Sequence, residues 1–239
     1  MFYYRKLVAA VPLAPFLDRL APDDAAELLG LGRRRQYPAQ SILFFEGDDV
    51  HDVVLVRAGE LKVAVALDER EVVLEVVGPG DILGELAAID GRPRSARAVT
   101  LTVVEVVVVP AASFRTFLGG HPEAALALMQ HLAGRLRRAS RRQVELGALD
   151  STARVCGRLV DLMARYGRPA GPGVLIRGPL NQSDIAAWAG LSREAVVKAL
   201  NRLRAVGWVT TTPRTITVLD VPAVTTRAGG VARQLSTAS

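Results

Sequence analysis

Apolar residues alternate with polar ones along much of the first half of the chain, and this period of two predicts β-strands. Between positions 36 and 110 the strands are short and are separated by Gly, Pro and Asp turns. The predicted strands cover residues 41–45, 53–57, 61–67, 72–77 and 101–109. Several short strands at regular spacing indicate a sandwich or barrel. Two short helical segments, between about residues 11 and 32, precede the strands.

A helical stripe of apolar residues follows, from about residue 121 to residue 149. Pro122 suits the first turn of this helix. The stripe advances by four and three residues in turn over about three heptads, which is typical of a coiled-coil seam. Its members are Ala125, Met129, Leu132, Leu136, Ala139, Gln143 and Leu146. The pattern favours a two-fold dimer over a helix packed only within its own domain, and it leaves Leu126 and Leu128 on the face that packs back on the strands.

The spacing of residues 181–203 predicts a helix-turn-helix. Residues 182–189 form the first helix, Gly190 supplies a turn in which a positive φ is expected, and Ser192 caps the second helix. Residues 207–218 then predict a β-hairpin, which would be the wing of a winged helix-turn-helix.

The second of these helices has one buried and one outward face. The predicted buried face consists of Val196, Ala199, Leu200 and Leu203. Outward side chains near the start of a recognition helix meet base edges in the major groove, where Arg can contact guanine and Glu can accept from cytosine. The predicted DNA-contacting residues are Gln182, Ser192, Arg193, Glu194, Val197, Lys198 and Arg202.

The composition narrows the class of protein. The net charge is +6 and the pI about 10.1, which favours an anionic partner such as nucleic acid. Cys156 is the only cysteine, which excludes an intrachain disulfide and a CxxC metal or iron–sulfur motif. The three histidines are scattered and no catalytic constellation occurs, so we expect neither an enzyme nor a metal site. No apolar run reaches the length of a membrane helix and the first residues lack a signal-peptide core, so we expect a cytoplasmic protein without a membrane partner.

A turn-rich stretch, residues 80–98, carries the chemistry of a ligand site. Gly84 has no Cβ, so the backbone there can approach a ligand closely, and the N–H groups around Leu86 would open a helical turn that attracts anions. Arg94 offers a fork of donors that fits phosphate oxygens, and Ser95 adds a hydroxyl. Glu85, when ionised, only accepts hydrogen bonds and therefore needs a donor such as a ribose 2′-hydroxyl. The stretch predicts a ligand with a sugar hydroxyl at one end and a phosphate at the other.

The Gly-Glu-Leu and Arg-Ser segments of this stretch resemble the phosphate-binding cassette of the cyclic-AMP receptor protein/fumarate-nitrate regulator (CRP/FNR) family. The Ser-Arg-Glu segment that begins at Ser192 resembles that family's recognition helix, and Lys198 in place of arginine resembles actinobacterial members. The resemblance spans roughly residues 11–222. It implies that Arg135 and Ser140 on the long helix close over the nucleotide, with Ser140 on the base. Ala139 stands where cyclic-AMP binders often have threonine, which leaves the base open.

The resemblance implies an α+β fold with an N-terminal cyclic-nucleotide-binding β-roll of jelly-roll type, a long dimerisation helix and a C-terminal winged helix-turn-helix. Asp150 is a suitable N-cap for a helix over residues 151–166, so the junction of Leu149 and Asp150 is the expected hinge. The predicted domains are 1–120 for the effector domain, 121–149 for the dimerisation helix, 150–222 for the DNA-binding domain and 223–239 for a disordered tail.

The function expected from these features is that of a homodimeric transcription factor that binds a palindromic double-stranded DNA operator under the control of a cyclic nucleotide, cyclic AMP first. RNA polymerase is a further expected partner. Two alternatives remain: a family member that binds DNA without cyclic nucleotide or senses another ligand, and an architectural DNA-binding protein whose roll is only structural. The presence of Glu85 together with Arg94 argues against the last, because an empty pocket would hold an unneeded buried charge pair.

Overall fold

The computed structural model describes residues 14–68, 70–212 and 215–229. The chain forms two compact units, and the boundary between them falls at residues 137 and 138, inside the longest helix. Within the described ranges, no helix is long and apolar enough to cross a membrane.

The first unit is built from two antiparallel sheets. A 3₁₀ turn (Leu17–Arg19) and helix α1 (Pro22–Gly30) precede them. The strands are β1 (Arg33–Tyr37), β2 (Ile42–Phe44), β3 (Val53–Ala58), β4 (Leu61–Leu67), β5 (Arg70–Val77), β6 (Ile82–Leu83), β7 (Arg97–Thr100) and β8 (Val104–Val109). One sheet has the strand order β1-β8-β3-β6 and the other β2-β7-β4-β5. The predicted strand over residues 101–109 is therefore wrong in its first part, since β8 begins at Val104.

Both faces of the first sheet are covered, which explains why β3 begins with four consecutive apolar residues. Val54 and Val56 pack toward the second sheet. Val53 and Leu55 point the opposite way and pack against helices. Successive side chains of a strand alternate between faces, so a run without polar residues marks a strand buried on both sides.

Three helices complete this unit: α2 (Glu85–Asp90), α3 (Ala111–Gly120) and the long α4 (Pro122–Ala148), which continues into the second unit. The predicted long helix is confirmed. Leu128 is buried against the core as expected, but Leu126 is 43% exposed, so its predicted packing is wrong. Ala124, one helical turn before Leu128, and Ala127 supply the buried face instead.

The second unit contains α5 (Ser151–Tyr166), α6 (Gln182–Ala189), α7 (Arg193–Ala205) and α8 (Val221–Ala228). Its strands β9 (Gly167–Ala170), β10 (Gly173–Ile176), β11 (Val209–Thr211) and β12 (Ile216–Val218) form one sheet in the order β11-β12-β10-β9. The predicted N-cap of α5 is confirmed, since the Ala153 N–H donates to the Asp150 carboxylate at 2.8 Å. Cys156 is fully buried in this core, and burial raises the pKa of its thiol to about 12.

The predicted disorder after residue 222 is wrong for residues 223–228, which belong to α8. The segment is rich in small and polar residues, which suggested a tail. However, Val221 and Val224 lie on one face of a helical turn and are both buried, and Asp220 caps the helix by accepting from the Ala223 N–H at 2.9 Å. The rest of the predicted tail, 230–239, lies outside the described residues.

Candidate ligand pocket and nucleic-acid interface

Gly84 and Arg94 are in direct contact in the predicted ligand site. Gly84 is the N-cap of α2 and has φ of 76°. An added Cβ would lie 1.9 Å from Nη1 of Arg94 and 2.9 Å from the carbonyl oxygen of Asp52. Only glycine fits there, because it tolerates positive φ and leaves room for the guanidinium.

Carbonyl oxygens and an aromatic ring hold the Arg94 guanidinium. Nη1 donates to the Gly84 carbonyl at 3.0 Å and Nη2 donates to the Asp52 carbonyl at 2.5 Å. The guanidinium carbon lies 4.3 Å from the centre of the Phe44 ring, a distance that allows a cation–π interaction. Its Nε has no hydrogen-bond partner among the described residues although Arg94 is only 4% exposed. Burial lowers the pKa of Arg94, and Asp52 and Glu85 oppose this shift.

Glu85 lies at the start of α2 and is 1% exposed. Nη1 of Arg135, which comes from α4, donates to its Oε1 at 2.6 Å. Burial raises the pKa of the Glu85 carboxyl, and the positive charge of Arg135 partly opposes that shift. The ion pair therefore offsets part of the cost of placing a carboxylate in the interior.

The predicted ligand residues of the first unit line one concavity. They are Gly84, Glu85, Leu86, Arg94, Ser95 and Arg135. Ser95 is exposed, so its hydroxyl is accessible. Ala139 and Ser140 belong to the second unit, so their roles remain predictions.

Sequence reasoning missed several pocket residues. The apolar wall consists of Phe44, Val63, Leu83, Ala87 and Ala96, which come from β2, β4, β6, α2 and the segment before β7. An apolar strand residue carries no local sign that it faces a ligand. Only the alternation of sides along β4, which places Val63 with the buried Leu61, could have suggested it.

The helix-turn-helix begins with a reciprocal cap. The Asn181 side chain accepts from the Asp184 N–H at 3.0 Å, and the Asp184 carboxylate accepts from the Asn181 N–H at 3.1 Å. Gly190 has φ of 63°, which confirms the predicted turn. Ser192 accepts from the Ala195 N–H at 3.2 Å and so caps α7 as predicted.

The two faces of α7 agree with the prediction. Val196, Ala199, Leu200 and Leu203 are all buried. The predicted DNA-contacting residues are all exposed: Gln182, Ser192, Arg193, Glu194, Val197, Lys198 and Arg202. Arg204 donates to Thr211 at 3.1 Å and so ties the end of α7 to wing strand β11. The turn of the wing, residues 213 and 214, lies outside the described residues.

A two-sheet roll with a charged pocket, followed by a capped helix-turn-helix and a β-hairpin wing, defines a two-domain DNA-binding regulator. Residues 34–121 match the family profile of the cyclic nucleotide-binding domain, and residues 153–226 match that of the Crp-like helix-turn-helix domain.

Relatives along most of the chain agree with these matches. The chain is 32% identical to the CRP-like cAMP-activated global transcriptional regulator of Mycobacterium tuberculosis, over 80% of this chain and 86% of the relative. It is 30% identical to the cyclic AMP receptor protein of Thermus thermophilus, over 92% of this chain and 99% of the relative. The chain therefore belongs to the CRP family of transcriptional regulators, which confirms the resemblance and the predicted fold class.

A solved structure shows the same fold. The c-di-GMP-responsive global regulator CLP of Xanthomonas campestris superimposes with a TM-score of 0.76 at 24% identity, and the match covers 84% of this chain and all of that one.

Proposed function

We propose that this protein is a homodimeric transcription factor whose binding to a palindromic operator is controlled by a cyclic nucleotide, with cyclic AMP as the first candidate. The observation that carries the proposal is the buried charge arrangement of Glu85, Arg94 and Arg135 at one concavity of the roll. A pocket that served only the fold would be expected to hold apolar residues, since well-packed hydrophobic replacements of buried ion pairs are often neutral or stabilising.

The pocket offers complementary groups to the two ends of a ribose cyclic phosphate. Glu85 accepts from a 2′-hydroxyl, while the free Nε–H of Arg94 and the Ser95 hydroxyl donate to phosphate oxygens. A hydrogen bond to a charged group contributes about 1.5–3 kcal/mol. Two or three such bonds approach the roughly 8 kcal/mol of micromolar binding when apolar contacts with Val63 and Leu83 are added.

The choice of cyclic AMP is supported by relatives whose names describe them as cAMP-activated. The Xanthomonas regulator is described as responsive to c-di-GMP, so the fold alone does not select the base. Ala139 and Ser140 are the proposed base contacts. A titration with cyclic GMP tests the choice of cyclic AMP as ligand.

The proposed DNA interface is the outward side of α7 together with Gln182 at the start of α6. Arg193, Lys198 and Arg202 are exposed beside a single exposed acid, Glu194. Cations there neutralise phosphates or contact guanine, and Glu194 accepts from cytosine. RNA polymerase is the proposed further partner on the operator.

The proposed dimer forms along the seam of α4. Met129 is 59% exposed, Leu136 69% and Leu146 55%. Large apolar side chains repeated at heptad spacing are buried when a second helix packs against them. Two subunits related by a two-fold axis then place two α7 helices on half-sites about one helical turn apart.

A ligand can control DNA binding only if it prefers one state of the dimer. Arg135 connects the pocket to the long helix, because it lies on α4 and bonds directly to Glu85. A ligand hydroxyl that donates to Glu85 competes with Arg135 for that carboxylate. The most stable position of α4, which carries Arg135, would therefore differ between the free and the ligand-bound pocket.

The test has two parts. Calorimetric titration with cyclic AMP and cyclic GMP measures binding, and a gel shift on a palindromic operator, with and without ligand, measures its effect on DNA affinity. Arg94→Gln should weaken nucleotide binding at least tenfold. Arg92→Gln is the matched control, because Arg92 carries the same charge two residues away with its side chain 84% exposed.

Heat of binding together with a stronger shift would support the proposal. A specific shift without heat for either nucleotide would contradict the ligand and favour a family member that binds DNA independently of it. An equal loss of nucleotide affinity in Arg94→Gln and Arg92→Gln would contradict the proposed role of Arg94 in the pocket.

A further inference from the structure

Glu75 is a second carboxylate that contacts the pocket residue Arg135. It lies on β5 directly opposite Val63, a residue of the pocket wall. The register shifts at this point, since Val63 pairs with Glu75 while Ala64 pairs with Val73, so Leu74 is an extra residue. Such a β-bulge redirects side chains and is frequent beside functional sites. Here the Glu75 carboxylate lies 2.9 Å from Nε of Arg135.

Arg135 is thus held between two carboxylates, Glu85 at Nη1 and Glu75 at Nε. Burial acts to lower the pKa of Arg135, but Glu85, Glu75 and Asp81 more than offset it and leave the pKa raised, so the guanidinium stays charged. The formal charges of the two guanidiniums, Arg94 and Arg135, and of the two carboxylates, Glu85 and Glu75, cancel. Without Glu75 the same group would carry one net positive charge.

We infer that Glu75 sets the charge selectivity of the pocket, so that it accepts the single negative charge of a cyclic phosphodiester and disfavours a linear nucleoside 5′-monophosphate. The inference rests on the proposed function. A phosphate monoester carries a charge of about −1.5 to −2 at neutral pH, whereas the cyclic diester carries one charge. Because Coulomb energy is proportional to the ligand charge, an extra carboxylate beside Arg135 penalises the monoester more strongly.

A purely structural role for Glu75 makes a different prediction. In that case Glu75 would only anchor Arg135, and its replacement would weaken both ligands alike. Glu75→Gln separates the two roles, because glutamine keeps an oxygen that accepts from Nε of Arg135 but has no charge. Glu75→Asp retains the charge on a shorter side chain.

The experiment is a calorimetric titration of the full-length protein with the cyclic nucleotide that binds the wild type and with its 5′-monophosphate. For Glu75→Gln the ratio of the two affinities should move about three- to tenfold toward the monophosphate at low salt, and the change should shrink at high salt. Glu75→Asp should keep the wild-type ratio.

The matched control is Glu71→Gln. Glu71 lies on the same strand and is also paired, with Lys62 at 3.0 Å and Arg97 at 3.3 Å. Neither of these two partners lines the pocket. Removal of the Glu71 charge should leave the ratio unchanged.

An unchanged ratio in Glu75→Gln, or an equal change in Glu71→Gln, would overturn the inference while leaving the proposed ligand intact. Glu75→Ser serves as a second neutral variant if circular dichroism shows that Glu75→Gln is misfolded. A wild-type protein that binds no cyclic nucleotide would instead refute the proposed ligand, and this inference with it.

Discussion

A methyl group at position 84 would displace the arginine that lies in the pocket. In Gly84→Ala the new Cβ would lie 1.9 Å from Nη1 of Arg94, far inside van der Waals contact. The guanidinium must leave, and it loses its bonds to the Gly84 and Asp52 carbonyls. The backbone must also hold alanine at φ of 76°.

The backbone strain and the lost hydrogen bonds can each be given an approximate free-energy cost. A left-handed conformation costs a non-glycine residue about 1–2 kcal/mol. Each hydrogen bond to a charged group contributes about 1.5–3 kcal/mol, and partial rehydration of the displaced Arg94 returns some of that. We expect Gly84→Ala to lower the free energy of unfolding of the first unit by about 3–5 kcal/mol, and to weaken nucleotide binding at least tenfold.

Gly91→Ala provides the matched control. Gly91 caps the other end of α2 with φ of 70°, but an added Cβ would meet no atom within 4 Å. Its expected cost is about 1–2 kcal/mol, which comes from backbone strain alone. The difference between the two variants therefore isolates the displacement of Arg94.

Urea denaturation followed by circular dichroism records the unfolding of both units, since both contain helices and strands. Tryptophan fluorescence reports on the second unit, because Trp188 and Trp208 are the only tryptophans and both lie there. The fluorescence midpoint should stay constant in both variants. If Gly84→Ala cost no more than Gly91→Ala and bound nucleotide normally, Arg94 would not occupy the space beside Gly84, and the reasoning would be refuted.

Three further predictions follow from single side chains. Asp150→Ala should lower the free energy of unfolding by about 1 kcal/mol at pH 7. The hydrogen bond from the Ala153 N–H lowers the pKa of Asp150, so this stabilisation is present above the unfolded pKa of about 3.9 and is lost as the pH falls through the folded pKa. A stability difference between wild type and variant that does not change in acid would contradict this prediction. A thiol reagent at pH 8 should modify Cys156 only after unfolding, since burial raises its pKa to about 12; rapid labelling of the native protein would disprove its burial. Glu194→Ala should relax base preference by about 1–3 kcal/mol at one operator position in competitive gel shifts, and an unaltered preference would rule out the proposed base contact.

Local signals were sufficient for the helix-turn-helix. Its turn, its caps and its buried face depend on residues within a few positions of one another, such as Gly190, Ser192 and Val196. The same logic failed for α8, where only Val221 and Val224 mark the buried face within a small and polar segment. Two residues are too few for a periodicity to be recognised, although their burial in the core is enough to stabilise the turn.

The sequence by itself determined the order of the domains, the long helix, the outward face of α7 and the identity of Gly84, Glu85, Arg94 and Ser95 as a candidate site. Each of these follows from spacing along a short segment or from the chemistry of a residue type.

Only the tertiary structure decided which charges meet. Glu85 and Arg135 lie fifty positions apart, and Arg94 bonds to a carbonyl 42 positions away. Glu75 reaches Arg135 through a β-bulge that depends on how β4 and β5 align. Strand register and the packing of α4 on the roll set these pairs, because they are fixed by the burial of many apolar side chains together and not by any local pattern.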